Sequence, residues 1–121
     1  MKPQPSPLSS GATGIVVAIG ADDDHDWPTS LRPALAAHRA VHVPWGRLNA
    51  AYLGTLSPDT VVTPLFAQRF DALEVAAWLG SNGYAGRLLV VSDRRLPNAR
   101  LVQNEITAAG GGMRVDLLLV D

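Results

Sequence analysis

Four aspartates and a histidine stand together at Asp22, Asp23, Asp24, His25 and Asp26, directly after the apolar run Ile-Val-Val-Ala-Ile-Gly over 15–20. Clustered carboxylate oxygens suit a hard divalent cation, and the carboxyl end of a buried strand is where open α/β sheets place ligands. Asp22, Asp23 and Asp24 are therefore candidate Mg²⁺ ligands. The plainer and stronger reading is a solvated acidic loop whose charge favours the positive end of a following helix. On that reading no resident cofactor is expected.

The remaining polar groups are more dispersed. His25, His38 and His42 are separated by an element each and lack the spacing of metal ligands on one helix face, so surface or hydrogen-bonded histidines are expected. Ser92-Asp93 ends an apolar run, yet no glycine-rich elbow surrounds the serine and no base is paired with it, so it reads as a capping or switch-position hydroxyl. Arg94, Arg95 and Arg100, with Arg69 on another loop, could form a basic rim for an anion or an acidic partner, against the simpler reading of a solvated face. Trp27, Trp45 and Tyr52 suit either an interface anchor or core packing. Gly11-Ala-Thr-Gly14 precedes the first apolar run, the wrong side for a dinucleotide loop.

The elements that must position these groups follow from the apolar pattern. Runs at 15–20, 41–45, 59–66, 88–92 and 115–120 read as strands, several of them continuously apolar, as expected of strands buried on both faces. Between them, Thr29-Ser30 can cap a helix over 31–39, and a helix over 48–56 is weakened by Gly54. Asp71-Ala-Leu-Glu74 has capping-box spacing for a helix over 72–79 that Asn82-Gly83 ends. Pro97-Asn98 opens a helix over 99–109 that Gly110, Gly111 and Gly112 stop. Pro64 places the end of the third strand, because proline cannot donate to a central ladder. Strands recurring about every 25 residues with helices between them indicate βαβ crossovers and a three-layer α/β sandwich around a five-stranded parallel sheet.

Composition bounds the rest. The 121 residues are 47% hydrophobic and 17% charged, enough to bury one core in one domain. Residues 1–14, rich in Pro, Ser and Gly, read as a flexible lead-in, leaving 15–121 as the folded unit. A formal net charge of -1 disfavours nucleic acid as the main partner. The absence of cysteine excludes disulfide, thiolate-zinc and cysteine-nucleophile chemistry. No run approaches a membrane span or a signal peptide, so no membrane partner and a cytoplasmic location are expected.

The pattern Asp59-Thr-Val-Val-Thr-Pro64, then Phe70-Asp-Ala-Leu-Glu-Val75, Trp78-Leu79 and Gly83-Tyr-Ala-Gly-Arg-Leu-Leu-Val-Val-Ser92, resembles the receiver domain of bacterial response regulators. The resemblance implies the flavodoxin-like strand order 2-1-3-4-5. It also implies a phosphate-accepting aspartate ending the third strand, acids after the first strand holding Mg²⁺, a Ser or Thr ending the fourth and a Lys ending the fifth. Asp22 to Asp24 lie near the acid position, and Ser92 matches the switch hydroxyl. The third strand instead ends Thr63-Pro64, which cannot become an acyl phosphate, and the one lysine of the chain is Lys2.

These departures point to a non-catalytic pseudo-receiver that works by binding another protein or a second copy of itself, in bacterial signalling or regulation. Arg94, Arg95, Arg100, Leu117 and Leu119 would form its contact surface, as the corresponding face does in receivers, with Thr63 and Ser92 at the switch positions. The alternative is a small enzyme or a metal- or anion-binding domain using the acidic loop at the sheet's carboxyl edge. Receivers close with a fifth helix, whereas this sequence stops at Asp121 after Leu117, Leu118, Leu119 and Val120. Four aliphatic residues without a cover would leave one face bare, so a covering partner, copy or tail is expected. If the acidic loop is simply solvated, adding Mg²⁺ leaves the melting temperature unchanged; a rise with Mg²⁺ concentration would assign the loop to a metal site.

Overall fold

A computed structural model describes residues 15–20, 40–67 and 69–120. The expected tail over 1–14, the acidic loop with Asp22, Asp23 and Asp24, and the expected helix over 31–39 lie outside the described residues. Five strands, β1 (Val16–Gly20), β2 (Val41–Pro44), β3 (Thr60–Pro64), β4 (Arg87–Asp93) and β5 (Arg114–Val120), form one sheet of order β2-β1-β3-β4-β5. All neighbouring pairs are parallel. The expected strand order and sense are therefore those observed. Three α-helices are described: α1 (Ala50–Leu56), α2 (Ala72–Ser81) and α3 (Ala99–Ala109).

Register explains the core. Val41, Val17, Val61, Leu88 and Val115 are level with one another across the sheet. Side chains alternate along a strand, so this row and its i+2 neighbours share a face. Against that face pack Leu53 of α1, Val75, Ala76 and Leu79 of α2, and Ile106 of α3. The opposite face carries a second cluster of Val16, Ala18, Val62, Leu89 and Val91, to which none of the described helices contributes. Side chains such as Ile19, Leu79, Leu88 and Ile106 are fully buried, and each contributes about 1.5–3 kcal/mol relative to exposure.

The same alternation corrects the expectation of one bare face at 117–120. Leu117 packs with the helix-bearing cluster, Leu118 and Val120 with the opposite one, and Leu119 remains 37% exposed. Consecutive strand residues cannot share a face, so the four never formed a single patch.

Several boundaries move for local reasons. The expected helix over 48–56 is α1, beginning two residues later, and an unexpected short 3-10 turn at Trp45–Arg47 precedes it. Asn49 separates them, because its side chain accepts the Tyr52 N–H at 2.8 Å and so starts a new helix. The third strand is shorter than 59–66, because beyond Pro64 the chain turns: Phe66 forms an antiparallel bridge with Asp71, and the Ala67 N–H donates to the Phe70 carbonyl. At α2 the cap is the Asp71 carboxylate accepting the Glu74 N–H at 2.9 Å, while Glu74 adds its charge to the first turn. The stop after α3 is as expected, with Gly111 and Gly112 both at positive φ.

Helices α2 and α3 meet most closely at their carboxyl ends. A Cβ on Gly80 would lie 2.5 Å from the Gly110 carbonyl oxygen, a backbone atom that cannot swing aside. Gly80→Ala would ordinarily gain helix propensity, up to about 1 kcal/mol, but here the overlap decides the sign. The variant should lose about 1–3 kcal/mol, read as a lower urea midpoint with an unchanged slope. A midpoint at or above that of the unsubstituted protein would show that the two helices are not in contact there.

Candidate functional site

The carboxyl edge of the sheet gathers the ends of β3, β4 and β5. The register sets Pro64 level with Val91, Ser92 with Leu119, and Asp93 with Val120. Proline is tolerated in this central strand because the β1–β3 ladder runs only from Val16–Thr60 to Ala18–Val62 and has ended before Pro64. On the other side the chain recovers at once, with the Leu65 N–H donating to the Val91 carbonyl at 2.9 Å.

Thr63, an expected switch-position residue, is fully buried, and its hydroxyl donates to the Pro64 carbonyl at 3.0 Å. Ser92 is half-buried at the end of β4. The structure thus brings Thr63 and Ser92 to the same edge, on neighbouring strands. The candidate metal ligands Asp22, Asp23 and Asp24 lie outside the described residues, and among the described residues no three His, Asp or Glu side chains group as a metal site would need.

Asp93 is the described carboxylate that ends β4, and Arg95 holds it. Asp93 Oδ1 accepts from the Arg95 backbone N–H at 2.8 Å and from Nε at 3.1 Å, while Oδ2 accepts from Nη2 at 3.1 Å. Hydrogen bonds from the Arg95 side chain and then its backbone hold the Asp93 carboxyl below the usual carboxylate range. The same pairing raises Arg95 above the ordinary guanidinium value. Of the expected basic rim, Arg69, Arg94, Arg95 and Arg100 are all exposed. The Arg94 N–H bonds the Val120 carbonyl at 2.9 Å, which ties the β4–α3 loop to the end of β5. Leu119 lies at the same end, whereas Leu117 is half-buried against the helix-bearing core.

Trp45 belongs to the core margin. Its ring lies 5.6 Å from Phe70 and 6.0 Å, edge-on, from Trp78, a geometry that aromatic pairs favour. Tyr52 and His42 are exposed, and Trp27 lies outside the described residues.

Two features escaped the sequence reading. Phe66 is 74% exposed on the hydrogen-bonded turn after β3; the apolar run there reads as strand, which would have buried it. At the opposite end of the sheet, Asp116 Oδ2 lies 3.6 Å from Arg87 and 3.4 Å from Arg114. The spacing Arg114-x-Asp116, which puts both on one side of a strand, was the available signal.

A scan of family models finds no match, and a search of curated proteins finds none. Among solved structures, the chain is similar to the signal receiver domain of the response regulator NarL from Mycobacterium tuberculosis, with a TM-score of 0.57 at 20% identity, over 85% of this chain and 82% of that one.

The Asp93 pair has a definite pH signature. A carboxyl with a folded pKa below its unfolded value stabilises the fold above the unfolded pKa, and that contribution is lost as pH falls through the folded one. Both partners are solvent-exposed, so the effect on stability is small, and the direct readout is an NMR titration. Asp93 should titrate below the ordinary aspartate range, and Arg95→Ala should raise its midpoint; a midpoint indifferent to Arg95→Ala would show the pair is not formed in solution. Five parallel strands in the order β2-β1-β3-β4-β5, together with this similarity, give the chain the fold of a response-regulator signal receiver domain.

Proposed function

We propose that this receiver-like signalling module does not accept phosphate and acts by binding protein through the surface formed by α3, β5 and the Arg94-Arg95 loop. The observation that carries the reading is the end of β3. Thr63-Pro64 occupies the place where a receiver's resemblance calls for an acceptor aspartate, and Pro64 sits in the ladder level with Val91. An acyl phosphate needs a carboxylate there, and neither an amide-bonded proline ring nor a threonine hydroxyl turned to the Pro64 carbonyl supplies one.

The end of β5 supports the same reading. Leu119 and Val120 lie level with Ser92 and Asp93, so the strand presents aliphatic groups where a lysine would pair phosphoryl oxygens. What remains on this side of the molecule is a contact surface. Arg100 and Leu101 are exposed in the first turn of α3, Leu101 by 57%, beside the exposed Arg94-Arg95 loop. Arginine together with exposed aliphatic side chains is the composition of a protein-binding patch.

Incubation with acetyl phosphate and Mg²⁺ should leave the intact mass unchanged. Beryllofluoride with Mg²⁺ should leave the tryptophan fluorescence unchanged, Trp45 and Trp78 being packed against each other at the margin of the core. Covalent modification of any aspartate at physiological donor concentration would overturn the proposal.

A further inference from the structure

Strand β5 is an outer strand of the sheet, hydrogen-bonded to β4 alone. In a parallel ladder the N–H and C=O of one residue point to the same side and alternate along the strand. The Val120 carbonyl accepts from Arg94, which follows β4, so the backbone groups of Val120 and of residues two apart from it face β4. Those of Val115, Leu117 and Leu119 face outward. Gln103 confirms the alternation, because its Nε2 reaches over from α3 and donates to the Val115 carbonyl at 2.7 Å.

This bond closes the amino half of the edge. The carboxyl half has none of the usual protection: Leu117, Leu118, Leu119 and Val120 include no charge and no proline. Among the described residues, the backbone groups of Leu117 and Leu119 are thus an open hydrogen-bonding template beside the exposed Leu119 side chain.

We infer that this half-edge pairs antiparallel with the same segment of a second copy, with Leu118 on the two-fold axis. The inference rests on the protein-binding function proposed above and names its partner. The register follows from setting aside the two that shift the pair toward the amino end of the strand. Opposing Leu117 to Leu119 of the second copy makes every central pair aliphatic and leaves the Gln103 bond to Val115 intact. Centring the pair on Leu117 instead sets Val115 against Leu119 and takes the Val115 carbonyl from Gln103. Centring it on Asp116 sets two carboxylates directly opposite, which is repulsive. A heterologous strand would meet the same backbone but lacks this self-matched pattern, so the second copy is the occupant that the strand itself specifies.

The test uses the whole chain in a concentration series followed by light scattering, with amide hydrogen exchange on the same samples. A dimer should grow with concentration, and the Leu117 and Leu119 amides should be protected in it and lose protection on dilution. Leu119→Lys, placed on the exposed edge, should raise the dimer dissociation constant about tenfold or more. Tyr52→Lys on α1, beyond the opposite side of the sheet, should leave it unchanged. If the Leu119→Lys variant fails to fold, exchange in the unsubstituted protein decides. A strict monomer at every concentration, or a dimer that survives Leu119→Lys with both amides exchanging freely, overturns the pairing. A monomer that still refuses phosphodonors removes this inference alone, whereas an aspartyl phosphate removes the function on which it rests.

Discussion

Every feature of this protein hangs on the fact that β1, β3 and β4 are sealed on both faces. Backbone amides in such strands have no water to turn to, so each must find its partner in the ladder. Most side chains there are apolar, as Val16 to Ile19, Val61, Val62 and Leu88 to Val91 are, and the buried polar exceptions, Thr60 and Thr63, sit toward the ends of β3. Polar chemistry is therefore forced to the strand ends. The position of the candidate edge is set by where β3 stops, and β3 stops at a proline that the neighbouring β1 ladder has already released.

At that edge the available polar groups are turned inward on the chain itself. The Thr63 hydroxyl is spent on the next carbonyl, and the Asp93 carboxylate on the backbone and guanidinium of Arg95. A group already satisfied by a neighbour must lose that bond before it can serve a ligand. Arg100 and Leu101, exposed in the first turn of α3, lie outside these pairings, and the proposed contact surface includes them.

Most of the fold was legible because a strand buried on both faces has a strong sequence signature. The apolar runs at 15–20 and 88–92, the glycines after Ala109 and the Asp71 cap each name a single conformation. What was not legible depended on groups distant in sequence. Asn49 sets the start of α1 two residues later than expected by capping it, and Phe66 leaves its strand because the Phe66–Asp71 turn closes back on it. The pleat decided the fate of 117–120, where composition alone suggested a single patch. Of the candidate site, Thr63 and Ser92 stand near the ends of neighbouring strands, a position their apolar runs made legible. The clamp of Asp93 by Arg95 was missed, since two charges two residues apart on a loop say nothing about which way either side chain turns.

The near contact of Gly80 with the Gly110 backbone has a mechanical meaning. With no Cβ on Gly80 the two main chains lie close together there, so little room is left for a side chain between the helices at that end. The far end of α3 begins at Asn98, in the left-handed region with no side-chain cap bond. A swing of the helix about its glycine end would carry Arg100 and Leu101 farther than the buried Ile106, and it would have to break the Gln103 bond to the Val115 carbonyl.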